Sequence, residues 1–194
     1  MRRFYTYLFS SLVVAQLLLI IASWLLAATN TEGVHSLLST EGVRWFFGNF
    51  TAMVASKWLV WLLLLAMAGG CMWQSGLLSR GQGFRERLAL RTTVVLLVLY
   101  VAVVLLLTVV PHAMLLSATG QLFPSPFSRA LVPIVAFGLL FSSAVYGSVS
   151  GRFTSLSDFI DSLSYGISYA APILVLYVFF IQFYESLRFV LYSS

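Results

Sequence analysis

The stretch from Ala130 to Gly151 constrains the fold more than any other part of the sequence. It contains no charged side chain, and as a helix it is long enough to cross the ~30 Å hydrocarbon core of a bilayer. Ser143, Gly147 and Gly151 recur within it at every fourth position, so they share one helix face that is nearly bare of side chain. This face predicts close packing against another helix, although small residues are also simply frequent in membrane helices.

Composition places the whole chain in one class of protein. Of its 194 residues, 60% are hydrophobic and 9% are charged, whereas about 25% of the residues of a soluble domain are charged. The apolar runs are long and unbroken, without the alternation that is typical of transmembrane barrel strands. The sequence therefore predicts an all-α integral membrane protein with about five transmembrane helices and an amphipathic external segment between the first two.

The predicted spans form a single membrane domain over residues 1–194. They cover residues 7–28, 58–73, 92–110, 130–150 and 168–187. The first follows a basic start but is too long for the core of a secretory signal, so we interpret it as a membrane span. The segment before the second span is rich in aromatic residues and suits a helix in the headgroup region. Ser39 or Thr40 is expected to cap that helix.

The cations lie at the ends of the apolar runs, which is typical of topology signals and not of a nucleic-acid surface. Lys57 and Trp58 suit the membrane interface at the start of the second span. The strongest orientation marker is a group of four arginines, which we interpret as one short loop: Arg80, Arg85, Arg87 and Arg91. Seven cations are assigned to the side of this loop, namely these four arginines with Arg2, Arg3 and Arg152, and four to the other side, namely Arg44, Lys57, Arg129 and Arg188. This imbalance predicts a cytoplasmic N-terminus and an external C-terminus.

Two sets of polar residues have alternative interpretations. Gln16 lies near the middle of the first span, where a hydrogen bond to a neighbouring helix is favoured over a substrate contact. Asp158 and Asp161 share a helix face and could bind a cation or move protons. A capping pair of Ser155 with Asp158 at a helix N-terminus is the favoured interpretation, because the helix dipole stabilises carboxylates there.

The sequence predicts no enzyme and no catalytic, cofactor-binding or metal-binding set. Cys71 is the single cysteine, which excludes an internal disulfide and a cysteine-based metal site. Both histidines and the only lysine lie at the edges of the predicted spans. No Ser–His or Ser–Lys pair is therefore expected at depth in the membrane.

Several strings, in order along the chain, resemble the AbgT family, the p-aminobenzoyl-glutamate transporters. They are SLLSTEGVRW at residues 36–45, SGLLS at 75–79, SPFSRALVP at 125–133, YGSVSG at 146–151 and APILVLYVFFIQF at 171–183. The resemblance implies a dimeric carrier of p-aminobenzoyl-glutamate or related antimetabolites in the bacterial inner membrane, driven by an ion gradient.

The chain also departs from the family pattern. Members that resemble it are more than twice as long and carry re-entrant hairpins and polar spans after the SGLL and FIQF regions, for which this sequence has no counterpart. The resemblance thus implies that this chain corresponds to the scaffold and dimerisation half of a family member. No substrate-binding residue is assigned to this chain from the family.

The sequence is consistent with two functions. The first is a scaffold or accessory subunit that assembles with itself or with a second membrane subunit through the face of Ser143, Gly147 and Gly151. The alternative is a reduced secondary transporter that works as an oligomer. The lipid bilayer is the expected surrounding, and nucleic acid is not an expected partner.

Overall fold

The structure is a computed structural model that describes residues 2–29, 33–79, 83–109 and 126–192. Within these ranges the chain forms six helices and no strand. The helices are α1 (Arg2–Ala28), α2 (Thr40–Val54), α3 (Lys57–Ser75), α4 (Phe84–Val109), α5 (Pro126–Ser150) and α6 (Leu156–Tyr192). Five helical stretches, of which one joins α2 and α3, are long and apolar enough to cross a membrane. The predicted all-α membrane fold class is confirmed.

The arginine cluster lies mostly on a helix, so its interpretation as a loop was wrong. Helix α4 begins at Phe84 and carries Arg85, Arg87 and Arg91 on its first turns. Arginine and leucine are good helix formers, and Glu86 in the first turn is favourable at the positive end of the helix dipole. Arg80 lies outside the described residues.

Helix α6 begins at the capping pair that the sequence predicted. Asp158 Oδ2 accepts hydrogen bonds from the backbone N–H groups of Thr154 and Ser155, at 2.7 and 3.0 Å, and from the Thr154 hydroxyl at 2.8 Å. The Asp158 N–H in turn donates to Ser155 Oγ at 3.4 Å. This reciprocal arrangement confirms the capping interpretation and explains why the 37-residue helix starts where it does.

The described helices group into two compact units, with boundaries inside α3 and α6. Unit one contains residues 1–60 and 171–194, and unit two contains residues 61–170. Each unit is described by itself below. The single membrane domain expected from the sequence stays a prediction.

Unit one packs α1, α2 and the end of α6 around a small apolar core. Leu37, Phe189 and Val190 are its buried residues. The Trp45 ring stacks on Phe189 at 4.3 Å between centroids, and the His35 N–H donates to the Val190 carbonyl at 3.2 Å. Ring packing therefore holds α2 against the end of α6, and a backbone hydrogen bond holds the segment before α2 there.

The start of α2 shows which of the two expected caps is used. Ser39 Oγ accepts a hydrogen bond from the Gly42 N–H at 3.0 Å, with Glu41 in the first turn. A Cβ added to Gly42 would lie 2.8 Å from the Leu37 Cα. Glycine is required here because the preceding loop folds directly onto the helix.

In unit two, α4 and α5 pack against each other, and one tyrosine of α4 forms a hydrogen bond between them. The Tyr100 hydroxyl donates to the Ile134 carbonyl at 2.8 Å, and its ring stacks near Phe141 with centroids 6.5 Å apart. A Cβ added to Gly138 would lie 3.0 Å from Tyr100 Cε1. The glycine thus leaves room for the ring that joins the two helices.

Candidate functional site

The backbones of α3 and α6 meet within unit two at Gly70 and Gly166, both of which are buried. A Cβ added to Gly70 would overlap the Gly166 backbone and lie 2.6 Å from the Ser162 carbonyl oxygen. A Cβ added to Gly166 would overlap the Ala66 carbonyl oxygen and lie 2.9 Å from the Gly70 Cα. This is the close helix contact that small residues permit in membrane proteins.

Sequence reasoning missed this crossing, although its signal is present. Ala66 and Gly70 are four residues apart on α3, and Ser162, Gly166 and Ala170 follow the same spacing on α6. The pattern is the one that drew attention to α5. The same criterion, applied to every helix, predicts a close contact for both of these faces. It does not predict that the two faces meet each other.

The face predicted for assembly lies on α5, and the chain's own residues cover much of it. Ser143 is fully buried, and its hydroxyl has no hydrogen-bond partner among the described residues. Gly147 is buried beneath the ring of Phe153, which a Cβ on Gly147 would overlap. Gly151 is exposed and has a φ of 80°. A role of these three residues in assembly stays a prediction.

Gly147 and Gly151 have a local role in ending α5. The Arg152 N–H donates to the Gly147 carbonyl at 2.9 Å, and the Gly151 N–H donates to the Ser148 carbonyl at 3.2 Å. These bonds, with a left-handed glycine, form the Schellman arrangement that closes many helices. The Phe153 ring then packs over Gly147 and edge-on against Phe159, 6.1 Å away. Two glycines thus shape the turn from α5 into α6.

Arg152, in that turn, links three segments of unit two. Its Nη2 donates to Ser79 Oγ at 3.1 Å and lies 3.6 Å from Glu86 Oε1. The guanidinium also covers Gly76, where an added Cβ would overlap it and where φ is 72°. From the sequence, Arg152 was counted only among the seven cations on the side of the arginine group, because no local pattern connects it to partners so distant in the chain.

In unit one, Gln16 forms the hydrogen bond to a neighbouring helix that its position near the middle of the first predicted span favours. Its Nε2 donates to Ser186 Oγ on α6 at 3.3 Å, while its Oε1 is buried without a partner among the described residues. Lys57 Nζ lies 5.7 Å from the centroid of the Trp58 ring, and both residues are exposed. Their interfacial role, like that of Arg85, Arg87 and Arg91, stays a prediction.

The charged residues of the described helices lie near helix ends. In α6 they are two aspartates in the opening turns and the pair Glu185 and Arg188, 3.9 Å apart, in the closing turns. Buried hydroxyls further along the helices bond to carbonyls of their own helix: Ser23 to Ile20, Ser75 to Met72, Ser142 to Gly138 and Ser162 to Phe159. The polar groups at depth therefore serve mainly the helices that carry them.

Five apolar helical stretches of membrane-spanning length, with charges near their ends, define a multi-pass helical membrane protein. Residues 81–189 match the AbgT putative transporter family. Since the match covers more than half of the sequence, the chain belongs to this family, as the ordered strings predicted. The match includes the Arg152 turn and Gly166. No curated protein and no solved structure matches the chain.

Proposed function

We propose that this chain is a scaffold or accessory component of an AbgT-type membrane assembly and does not carry a solute by itself. The observation that carries the proposal is the position of the charged side chains. On α4 they end at Arg91, and on α6 they are absent between Asp161 and Glu185. The long central part of each of these helices is thus free of charge.

A carrier for a charged small molecule needs a different arrangement. Substrate sites in secondary transporters lie near the middle of the bilayer and use broken helices whose ends face the solute. Ionisable residues at that depth are costly and mark such pathways. The described helices instead bring bare backbone together, at Gly70 and Gly166, which supports a role in holding helices.

The proposal extends to location and partners. We place the protein in the bacterial inner membrane with a cytoplasmic N-terminus and an external C-terminus, which the uneven distribution of cations supports. Its partner is a second copy or another membrane subunit, and its role is not enzymatic. Because Phe153 covers Gly147, a partner would reach that part of the α5 face only by displacing the turn after it.

The composition of the native complex tests the proposal. The tagged chain is extracted from its own membranes with a mild detergent, and the complex is weighed by native mass spectrometry. We expect a species heavier than the 21.5 kDa chain, with a second copy or another chain in a fixed ratio. A monomer that stays alone in several mild detergents would contradict the proposal.

Membership of the transporter family supports the alternative, a reduced secondary transporter that works as an oligomer. The mass measurement does not separate a homo-oligomeric scaffold from a homo-oligomeric transporter. Flux of p-aminobenzoyl-glutamate through the purified chain in liposomes separates the two, because only the alternative requires it.

A further inference from the structure

A groove of about 410 Å³ runs along the contact between α4 and α5 in unit two. Its wall is almost wholly apolar and includes Leu97, Val101 and Val104 from α4 and Ile134 from α5. The Tyr100 ring also lines it. The groove is open along its side, so a long and flexible apolar ligand can enter from the membrane.

The length of the groove fits one acyl chain. The residues of α4 that line it run from Leu90 to Leu105, a rise of ~22 Å at 1.5 Å per residue. One leaflet of the hydrocarbon core is ~15 Å deep, half of the ~30 Å total. The groove therefore has room for an acyl chain and for the start of the polar region of a lipid.

One hydroxyl on the groove wall points to a polar ligand atom. Thr93 lines the groove, is only 4% exposed, and has no hydrogen-bond partner for its Oγ1 among the described residues. The hydroxyl groups of two other threonines of α4 form hydrogen bonds within the helix. Thr92 donates to the Leu88 carbonyl at 2.8 Å, and Thr108 donates to the Val104 carbonyl. Thr93 thus keeps a donor for an acceptor such as an ester carbonyl.

Two cations lie just before this hydroxyl along α4. Arg87 and Arg91 are exposed, and neither forms an ion pair with any residue that the structure describes. They precede Thr93 by ~9 and ~3 Å along the axis. The nearby carboxylate of Glu86 faces Arg152 at 3.6 Å. Arg87 lies one turn before Leu90, which lines the groove, whereas Arg91 leaves the helix ~200° away from Thr93. A phosphate at the end of the groove would therefore meet the guanidinium of Arg87, and Arg91 adds positive charge at the same level.

We propose that this groove is a binding site for one anionic phospholipid. Its phosphate contacts Arg87, with Arg91 adding positive charge at the same level, an ester carbonyl accepts a hydrogen bond from Thr93, and one acyl chain fills the groove between α4 and α5. The lipid belongs to the leaflet at the N-terminal end of α4. The proposal is independent of whether the chain transports a solute.

Native mass spectrometry of the purified full chain in detergent tests the headgroup contacts. Phosphatidylglycerol with palmitoyl and oleoyl chains is titrated against phosphatidylcholine with the same chains. We expect one saturable phosphatidylglycerol site that the double substitution Arg87→Gln with Arg91→Gln weakens about tenfold. Arg44→Gln with Arg188→Gln makes the same change of charge in unit one and should leave the site unchanged. Equal affinity for the two lipids would overturn the proposal.

Two further comparisons test the groove and the hydroxyl. Leu97→Trp fills the groove and should abolish the site, whereas Leu99→Trp, on a position of α4 that does not line the groove, should keep it. Thr93→Val should weaken binding of the ester lipid but not of the ether-linked analogue, which lacks the carbonyl groups. If Leu97→Trp and Leu99→Trp bind the lipid alike, the proposal is overturned.

Discussion

At the scale of single residues, two adjacent glycines of α3 have different structural roles. Gly70 contacts the backbone of Gly166, where no side chain fits. Gly69 has nothing within 4 Å of the place that a Cβ would occupy. The same residue type is therefore a structural requirement at one position and replaceable at the next.

The substitution Gly70→Ala should destabilise the protein by about 1–3 kcal/mol, because the new methyl group forces two backbones apart. Gly69→Ala is the matched control and should be neutral or slightly stabilising, since alanine favours a helix over glycine by up to about 1 kcal/mol. Thermal unfolding of the two variants in the same detergent measures the difference. Equal melting temperatures would show that the α3–α6 contact is absent.

Arg152 and Glu86 should couple weakly. Their side chains are 39% and 26% exposed and 3.6 Å apart, and solvent screens such pairs, so the expected coupling energy is about 0.2–1 kcal/mol. A double-mutant cycle of Arg152→Gln and Glu86→Gln, followed by thermal unfolding, measures it. The coupling should shrink in about 1 M salt, where the Debye length is ~3 Å. Coupling that does not change with salt would argue against this ion pair.

At the scale of helices, the ends of α5 and α6 are set by short polar and glycine signals. Gly151 closes α5 by adopting a φ of 80°, and Ser155 with Asp158 opens α6 a few residues later. The intervening Arg152 and Phe153 then contact other parts of unit two. A tight and defined turn thus follows from residues that can be recognised in the sequence.

The carboxylate of Asp158 should matter more than that of Asp161. Asp158 accepts three hydrogen bonds at the start of α6, so Asp158→Ala should cost about 1 kcal/mol, the usual value of a lost cap. Asp161 lies one turn further on and is exposed, so Asp161→Ala should change the melting temperature much less. A larger loss for Asp161→Ala would contradict the capping role of Asp158.

Elements were easier to predict than contacts. Charge-free length predicted the membrane helices. Local polar patterns predicted a cap at Ser39 or Thr40 and another at Ser155, since both signals lie within a few residues. The sequence did not predict the start of α4, because its arginines were interpreted as topology signals in a loop. Arginine is also a good helix former, and that preference indicates a helix here. The α3–α6 crossing and the partners of Arg152 could not be assigned, because they join residues far apart in the chain.

At the scale of the whole molecule, the uneven distribution of cations is the support for the proposed orientation. Seven cations on one side of the five spans and four on the other favour a cytoplasmic N-terminus. With an odd number of spans, the proposed orientation has an external C-terminus. In it, the arginines of α4 near the proposed lipid would lie at the cytoplasmic leaflet, where anionic lipids attract basic residues.

Reporter fusions to the C-terminus test this orientation. Alkaline phosphatase, which is active only outside the cytoplasm, should be active there, and a fluorescent protein that folds only in the cytoplasm should be dark. Fusing each reporter after residue 79, in the segment between α3 and α4, should give the reverse pattern. A bright and phosphatase-negative C-terminal fusion would place the terminus inside.

Solute flux tests the proposed scaffold role most directly. The purified chain is reconstituted into liposomes, and uptake of radiolabelled p-aminobenzoyl-glutamate is followed with a proton gradient, with a sodium gradient and with none. Because α4, α5 and α6 carry no Asp, Glu, Lys, Arg or His along their central turns, we predict uptake no greater than that of protein-free vesicles. Saturable uptake driven by either gradient would contradict the scaffold role and establish the chain as a transporter.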